Sequence, residues 1–281
     1  MIIDFHTHTF PDRIAGRVLQ SLSNASRTLP VVDGTIGGLT ANMKAAGVDF
    51  AVNLPVMTRP DQVESLNHKM IDNQEVLLAS GIITFGGMHP DYPDFKQELK
   101  LLKEAGIKGI KLHPAYQGRN IDDPSFLRII EAASDLGMII LTHAGIDIGI
   151  YDHDYASVPQ ILNVLRLVAP DRFVLAHMGG WGNWDVFESD LAGAPVWIDT
   201  AFSLGPIPVM TEPPAPLASQ NLSVEDAVRI MRKHGTDRVL FATDSPWADM
   251  VDYVHMIKKS TLSSEEQERI LGSNAMQLLG M

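Results

Sequence analysis

The chain alternates short apolar runs with longer amphipathic stretches. Runs rich in Val, Ile and Phe recur eight times, at residues 2–5, 50–54, 82–85, 107–112, 138–141, 173–176, 196–198 and 239–242. Continuous apolar runs of this length are typical of strands buried on both faces, as in a parallel sheet. Apolar residues at helical spacing predict helices between them, for example over 94–105, 125–136, 158–168 and 224–233. The pattern therefore predicts repeated βα units.

Eight such units fit the roughly 250 residues of a (β/α)8 barrel. We predict an α/β fold of this TIM-barrel type, forming a single domain over residues 1–281 with insertions on its rim. A doubly wound open sheet is the alternative, but no Gly-x-Gly-x-x-Gly motif follows the first run. The insertions, at 9–38 and in the Pro-rich segment 201–222, both follow strands. We expect them at the C-terminal ends of the strands, where substrate contacts are built.

Polar side chains capable of metal binding or proton transfer follow the apolar runs. They are His6 and His8 after the first run, Lys111 and His113 after the fourth, His143 after the fifth, His177 after the sixth, and Asp244 after the eighth. Because the C-terminal ends of barrel strands converge on one mouth, we expect these residues to lie together. His6 and His8 are two apart on a strand, so both imidazoles face the same side and can reach one metal ion.

Each candidate also has a structural interpretation. His143 and His177 can be hydrogen-bonded core histidines, and Asp244 can be the N-cap of the following helix. Lys111 can hold a substrate carboxylate, pair with Asp244, or be carbamylated and bridge two metal ions.

Residues just beyond the strand ends are candidate substrate contacts. His89 and His113 each precede a proline, so they either contact substrate or shape turns. Tyr116 and Trp247 are expected to line the pocket, with core packing or a contact in a homodimer as the alternatives.

The composition restricts the chemistry. The chain has no cysteine and ten histidines, so a transition metal must be held by His, Asp, Glu or a modified Lys. Its formal net charge of −12 disfavours nucleic acid and anionic membranes as partners and points to a small-molecule substrate. Asp4 and His6 interrupt the first apolar stretch, and no run approaches the roughly 18 residues of a membrane span. We expect a cytoplasmic protein.

Motifs along the whole chain resemble those of the amidohydrolase superfamily. They are Met-Ile-Ile-Asp-Phe-His-Thr-His at the start, Gly-Ile-Lys-Leu-His-Pro at 109–114, Leu-Thr-His-Ala-Gly, Leu-Ala-His-Met-Gly-Gly and Ala-Thr-Asp-Ser-Pro-Trp. The chain is most similar to the amidohydrolase-related branch, which includes aminocarboxymuconate-semialdehyde decarboxylase and several hydrolases.

The resemblance implies a distorted (β/α)8 barrel that binds a divalent metal ion. Zinc is the expected ion, with manganese as the alternative, and its implied ligands are His6, His8, His143 and Asp244. The resemblance also makes Asp244 the catalytic base and gives His177 the role of orienting water and substrate. The context of Lys111 is similar to that of the carbamylated lysine in dihydroorotases, so a second metal on Lys111 and His177 stays open.

We therefore predict a metal-dependent hydrolase of a small amide, lactone or ester, with Asp244 as general base. The alternative is non-oxidative decarboxylation of a small carboxylic acid, with Lys111 or Arg119 binding the carboxylate. Asp244 is followed by Ser-Pro-Trp, whereas the decarboxylases usually have an aromatic residue and then Pro-Phe, which favours hydrolysis. A non-catalytic metal or ligand carrier is the third hypothesis.

Overall fold

The computed structural model describes residues 1–210 and 221–281 of the chain. Its strands are β1 (Ile3–Thr7), β2 (Phe50–Asn53), β3 (Ile82–Thr84), β4 (Gly86–Gly87), β5 (Gly109–Leu112), β6 (Ile139–Thr142), β7 (Phe173–Leu175), β8 (Trp197–Asp199) and β9 (Val239–Leu240). Only Phe85 separates β3 from β4, so these two segments share one strand position. The strands therefore fill the eight positions that the apolar runs predict.

Helices connect these strands. They are α1 (Asp12–Ser26), α2 (Ile36–Ala46), α3 (Val63–Ala79), α4 (Phe95–Glu104), α5 (Pro114–Gln117), α6 (Pro124–Asp135), α7 (Val158–Leu167), α8 (Trp184–Val186), α9 (Val224–His234), α10 (Met250–Lys259), α11 (Ser264–Glu268) and α12 (Asn274–Leu279). Short 3-10 segments lie at Pro60–Gln62 and Thr236–Arg238, and π-helical segments at Phe187–Leu191 and Arg269–Ser273. The four helices predicted from the sequence are confirmed as α4, α6, α7 and α9.

All strand pairs are parallel. Hydrogen-bonded ladders join β1 to β3 in one run and β4 to β9 in another, each in chain order. The last strand then returns to the first, because the Phe5 amide donates to the Phe241 carbonyl at 2.8 Å and the Asp244 amide to the His6 carbonyl at 2.9 Å. The fold is the predicted (β/α)8 barrel.

Alternating side chains explain why the strands are continuously apolar. In β6, Ile139 and Leu141 pack with Phe5 and Leu240 inside the barrel, whereas Ile140 packs outward against the layer of helices. Successive residues of a strand point to opposite faces, so a strand that is covered on both faces needs apolar residues at every position. The polar candidates are consequently confined to the strand ends.

The two predicted insertions meet beside the C-terminal ends of the strands. The first, 9–38, contains α1 and the start of α2, and its Thr28 pairs with Val209 of the second. Residues 211–220 of the second insertion, with Pro213, Pro214 and Pro216, lie outside the described residues. In the described part of the chain, no helix combines the length and the apolar character needed to cross a bilayer.

Candidate active site

A cavity of about 530 Å³ opens at the C-terminal ends of the strands. Most of the predicted site residues line it: His6, His8, Lys111, His113, Tyr116, His143, His177, Asp244 and Trp247. Its volume lies within the range of small-molecule sites. The structure thus brings together side chains that are far apart in the sequence, such as His6 and Trp247, which are separated by 241 positions.

The five histidines of this cavity form a continuous row of rings. The order along the row is His8, His6, His177, His143 and His113. The centroids of successive rings in this order are 5.0, 5.3, 4.7 and 4.5 Å apart. The row crosses the barrel from β1 to β5, so the strand ends converge as predicted.

The rings of His6 and His8 direct their Nε2 atoms toward each other. Nδ1 of His8 lies 2.7 Å from the carbonyl oxygen of Leu54, which can only accept, so this Nδ1 carries a proton. We assign a proton to Nδ1 of His6 in the same way, because it lies 2.9 Å from Oδ2 of Asp199. With both Nδ1 atoms engaged, the Nε2 atoms are the ring nitrogens left to bind a cation, and they lie 3.2 Å apart.

Asp244 adds a carboxylate oxygen to these two nitrogens. Its Oδ1 lies 3.1 Å from Nε2 of His8 and 3.5 Å from Nε2 of His6. The three ligand atoms lie within 4.8 Å of one another. Two imidazole nitrogens and a carboxylate oxygen suit zinc and manganese. The residues present therefore fit a divalent cation.

His143, the fourth implied ligand, lies beyond His177 in the row of rings. The proton of His177 is on Nδ1, because this atom lies 2.9 Å from the Ala201 carbonyl oxygen. Nε2 of His177 therefore accepts a hydrogen bond from Nδ1 of His143 at 3.0 Å. The buried Nε2 of His143 makes no hydrogen bond with the described residues. This nitrogen is available to a metal ion or a substrate.

A second cluster of ligand-type residues adjoins the first and contains His113, His143 and Asp147. Nδ1 of His113 accepts from the Tyr116 amide at 3.4 Å, so its proton lies on Nε2, which is 3.6 Å from Oδ2 of Asp147. Because Nε2 then faces Asp147 as a donor, this cluster fits a cation less well than the cluster of His6, His8 and Asp244.

Lys111 lies at the floor of the cavity and is 1% exposed. Its Nζ is 3.0 Å from Nε2 of His6 and donates to it. This hydrogen bond to His6 joins Lys111 to the first cluster. A second metal ion would need ligands from Lys111 and His177, but Nε2 of His177 is engaged with His143.

Burial favours the neutral form of three cavity histidines, His6, His143 and His177. It lowers the pKa of His177 to about 4 and holds the pKa values of His6 and His143 well below the ordinary value. Burial also lowers the pKa of Lys111 to about 8. Neutral imidazole is the form that binds metal ions, so these ionisation states suit the chemistry.

Two of the candidate residues have left-handed backbones. His177 has φ of 62° and Asp244 has φ of 64°. This conformation costs a non-glycine residue roughly 1–2 kcal/mol, and it is maintained only where surrounding contacts require it. The amide of Asp244 is bonded to His6 and the amide of His177 to Asp199, at 2.9 and 2.8 Å. Strained residues of this kind cluster at active sites.

The sequence analysis missed two buried carboxylates behind the metal-binding candidates. Asp199 ends β8, and its Oδ1 accepts the amides of His177 and Ala201 at 2.8 and 3.1 Å. Asp4 of β1 accepts the amides of His6 and Thr243, both at 3.1 Å. Burial raises the pKa of Asp4 to about 7 and also raises that of Asp199. Asp199 could have been found, because it ends an apolar run as Asp244 does.

Two predicted substrate contacts lie away from the cavity lining. Nδ1 of His89 accepts the Asp91 amide at 3.1 Å, which matches its interpretation as a turn residue. The guanidinium of Arg119 is paired with Asp91. The interpretation of Asp244 as an N-cap is wrong, because the next helix begins at Met250 and is capped by Asp249.

The family model described as Amidohydrolase matches residues 3–281 of the chain. An uncharacterised TIM-barrel protein from Bordetella bronchiseptica has a similar structure at a TM-score of 0.73 and 16% identity, over 99% of this chain and 98% of the other. The 5-carboxyvanillate decarboxylase of Sphingomonas paucimobilis gives a TM-score of 0.66 and 15% identity, over 100% and 99%. These similarities concern the fold.

A dihydroxybenzoic acid decarboxylase from Polaromonas, solved with bound manganese, has a TM-score of 0.69 and 13% identity, over 99% of this chain and 96% of the other. Separately, 64 residues are 34% identical to the 2,3-bisphosphoglycerate-independent phosphoglycerate mutase of Staphylococcus epidermidis. That match spans 23% of this chain but only 13% of the mutase, so the mutase activity carries no argument.

Proposed function

Because the chain belongs to the amidohydrolase family, we propose that it is a divalent-metal-dependent hydrolase of a small amide, lactone or ester. The observation that carries the proposal is the convergence of two imidazole nitrogens, from His6 and His8, with a carboxylate oxygen of Asp244 at the cavity. His143 is the proposed fourth ligand. Zinc is the proposed ion, with manganese as the alternative. A second ion on Lys111 and His177 is a separate question for metal analysis.

A divalent cation held there supplies Lewis acidity, which lowers the pKa of water toward about 7 and polarises a carbonyl group. The proposed base is Asp244, because its Oδ1 adjoins both His6 and His8 and its side chain is 14% exposed. It accepts the proton of the attacking water and returns it to the leaving group. No further proton carrier is needed for a complete cycle.

Other cavity residues are proposed to bind and orient the substrate. Neutral His177 lines the cavity and is held by the Ala201 carbonyl and the His143 ring, and its proposed role is to orient water and substrate from that fixed position. His113 and Tyr116 have ring centroids 4.3 Å apart and form part of the cavity wall, and Trp247 also lines the cavity. Lys111 is the proposed contact for a negatively charged substrate oxygen, because a buried ammonium group stabilises such charge strongly.

The test is a screen of small amides, lactones and esters with enzyme that has been stripped by a chelator and reloaded with zinc or manganese. We expect turnover only after reloading, with oxygen from labelled water appearing in the product acid. Asp244→Asn should lower kcat by at least about a hundredfold. Asp252→Asn, which changes an exposed carboxylate of α10, is the matched control. Full activity in protein without a stoichiometric divalent ion would contradict the proposal.

Decarboxylation of a small carboxylic acid is the second candidate. It is favoured by the buried ammonium group of Lys111, which can bind a carboxylate, and by the fold shared with the decarboxylases from Sphingomonas and Polaromonas. In this reaction a carbon–carbon bond breaks, carbon dioxide leaves, and a solvent proton takes its place on carbon. Carbon dioxide release in heavy water, with deuterium on the product carbon and no oxygen from water, would establish it.

A further inference from the structure

We propose that Arg13 and Lys69 form an anion-binding subsite at the mouth of the cavity, and that the substrate carries a carboxylate remote from its reacting bond. The identity of the reacting end rests on the proposed function. The subsite itself is inferred from the charges, the exposure and the packing of residues that line the cavity.

The charge balance of the cavity is opposite to that of the chain. The whole sequence has 34 acidic and 22 basic residues. The charged residues of the cavity lining within the described chain are Arg13, Lys69, Lys111, Asp147 and Asp244. Both carboxylates face histidines, since Asp244 lies 3.1 Å from His8 and Asp147 lies 3.6 Å from His113. Three cations against two carboxylates leave the described lining with a formal surplus of one positive charge.

The two cations of the subsite lie where the cavity meets solvent. Arg13 is in the first turn of α1 and Lys69 is in α3, and both side chains are exposed while they border the cavity. Within residues 1–210 and 221–281, neither side chain forms an ion pair or a hydrogen bond. Both are therefore free to bind an anion that enters from solvent.

Apolar side chains of the same two helices also line the cavity. Ile14 and Val18 of α1 and Leu66 and Met70 of α3 line the cavity beside the two cations. An apolar segment of substrate is stabilised when it buries its surface against these side chains. The cavity lining thus combines cationic, apolar and metal-binding side chains. It matches a small acid in which an apolar segment separates the carboxylate from the reacting group.

A carboxylate suits this pair because the planar guanidinium of Arg13 can donate two parallel hydrogen bonds to it, and Lys69 can add a point charge. Both cations are exposed, so each contributes only modestly. We expect a remote carboxylate to tighten binding by about five- to twentyfold at low ionic strength, and the gain to shrink as salt screens the charges.

The test compares the binding of heptanedioate and heptanoate by titration calorimetry, with the zinc-loaded and the metal-free protein. The two acids share one carboxylate and one chain length, so their difference in affinity reports the remote carboxylate. We expect heptanedioate to bind about five- to twentyfold more tightly. Arg13→Gln and Lys69→Gln should each remove part of that difference and together abolish it, without changing the affinity for heptanoate.

Arg17→Gln is the matched control, because Arg17 is an exposed arginine on the same helix that does not line the cavity. Equal affinity for the two acids in the wild-type protein, or an equal loss in Arg17→Gln and Arg13→Gln, would overturn the subsite. The binding measurement needs no turnover. Failure of every substrate in the hydrolysis screen would therefore count against the proposed reaction alone, and failure of the binding comparison against the subsite alone.

Discussion

Oδ2 of Asp199 lies 2.9 Å from Nδ1 of His6, and both side chains are buried. The other oxygen of the same carboxylate accepts the backbone amide of His177 at 2.8 Å. One carboxylate therefore sets the tautomer of His6, so that its Nε2 is the nitrogen directed into the cavity, and also fixes the left-handed turn at His177. A carboxylate behind a metal-binding histidine orients the ring and raises its basicity.

We predict that Asp199→Asn weakens zinc binding by about 10- to 100-fold while the barrel remains folded. The asparagine side chain is neutral, so it no longer strengthens His6 as a ligand. Competition with a chromophoric chelator measures the affinity, and circular dichroism checks the fold. Asp171→Asn, an exposed change just before β7, should leave the affinity unchanged. Unaltered zinc affinity in Asp199→Asn would show that His6 needs no support from this carboxylate.

The barrel and most of the cavity lining could be predicted from the sequence because both depend on local patterns. A strand covered on both faces is mostly apolar, and the polar residue that follows its apolar run, such as His143, then lies at the mouth. The position of Asp199 at a strand end was readable, but its pairing with His6 was not, because the two are 193 positions apart and apolar patterns carry no record of which side chains share a hydrogen bond. Arg119 shows the converse error, because this cation beyond a strand end is paired with Asp91, 28 positions away, and does not line the cavity.

His234 makes the stability of the protein depend on pH. Burial, as the main cause, lowers its pKa to about 4, and its ring bridges the Gly193 amide and the Val196 carbonyl. The unfolded chain binds this proton near the ordinary value of 6.5, so between pH 6.5 and about 4 the unfolded state holds more protons than the folded state. The contribution of neutral His234 is therefore complete above pH 6.5 and is lost as the pH falls toward 4.

We expect the free energy of unfolding to fall less steeply with decreasing pH in His234→Gln than in the wild type. The difference in slope between pH 6.5 and 4 should approach about 1.4 kcal/mol per pH unit, which corresponds to one proton. Urea unfolding at a series of pH values measures it. His255→Gln, on the exposed face of α10, should retain the wild-type slope. Identical slopes for all three proteins would exclude His234 as the titrating group.

We expect the substitution of alanine for glycine to have opposite effects on stability at two positions. Gly16 lies in α1, and a Cβ there meets nothing within 4 Å, so Gly16→Ala should raise the free energy of unfolding by about 0.5–1 kcal/mol. At Gly109 in β5, a Cβ would lie 2.5 Å from the Ile139 carbonyl oxygen and 2.5 Å from the Phe85 ring. Gly109→Ala should therefore destabilise the barrel by at least about 1–3 kcal/mol. Denaturant midpoints that move in the same direction would contradict this packing.

Asn67 of α3 is the buried link between its helix, β4 and α4. Its Nδ2 donates to the Gly87 carbonyl at 3.1 Å and to Oε1 of Glu98 at 2.9 Å, while its Oδ1 accepts the Gly87 amide at 2.9 Å. Asn67→Ala leaves three buried polar groups without these partners, and each costs about 1–3 kcal/mol. We expect a loss of at least about 3 kcal/mol in the free energy of unfolding.

Asn73→Ala is the matched control on the same helix, because Asn73 is exposed and its Nδ2 donates only to the Lys69 carbonyl. We expect that variant to stay within about 0.5 kcal/mol of the wild type. Urea unfolding followed by circular dichroism measures both variants, and an unchanged slope with urea shows that the unfolded states are comparable. A loss in Asn67→Ala no larger than in Asn73→Ala would mean that water replaces the missing amide, and the strand would then be held to the helices by apolar packing alone.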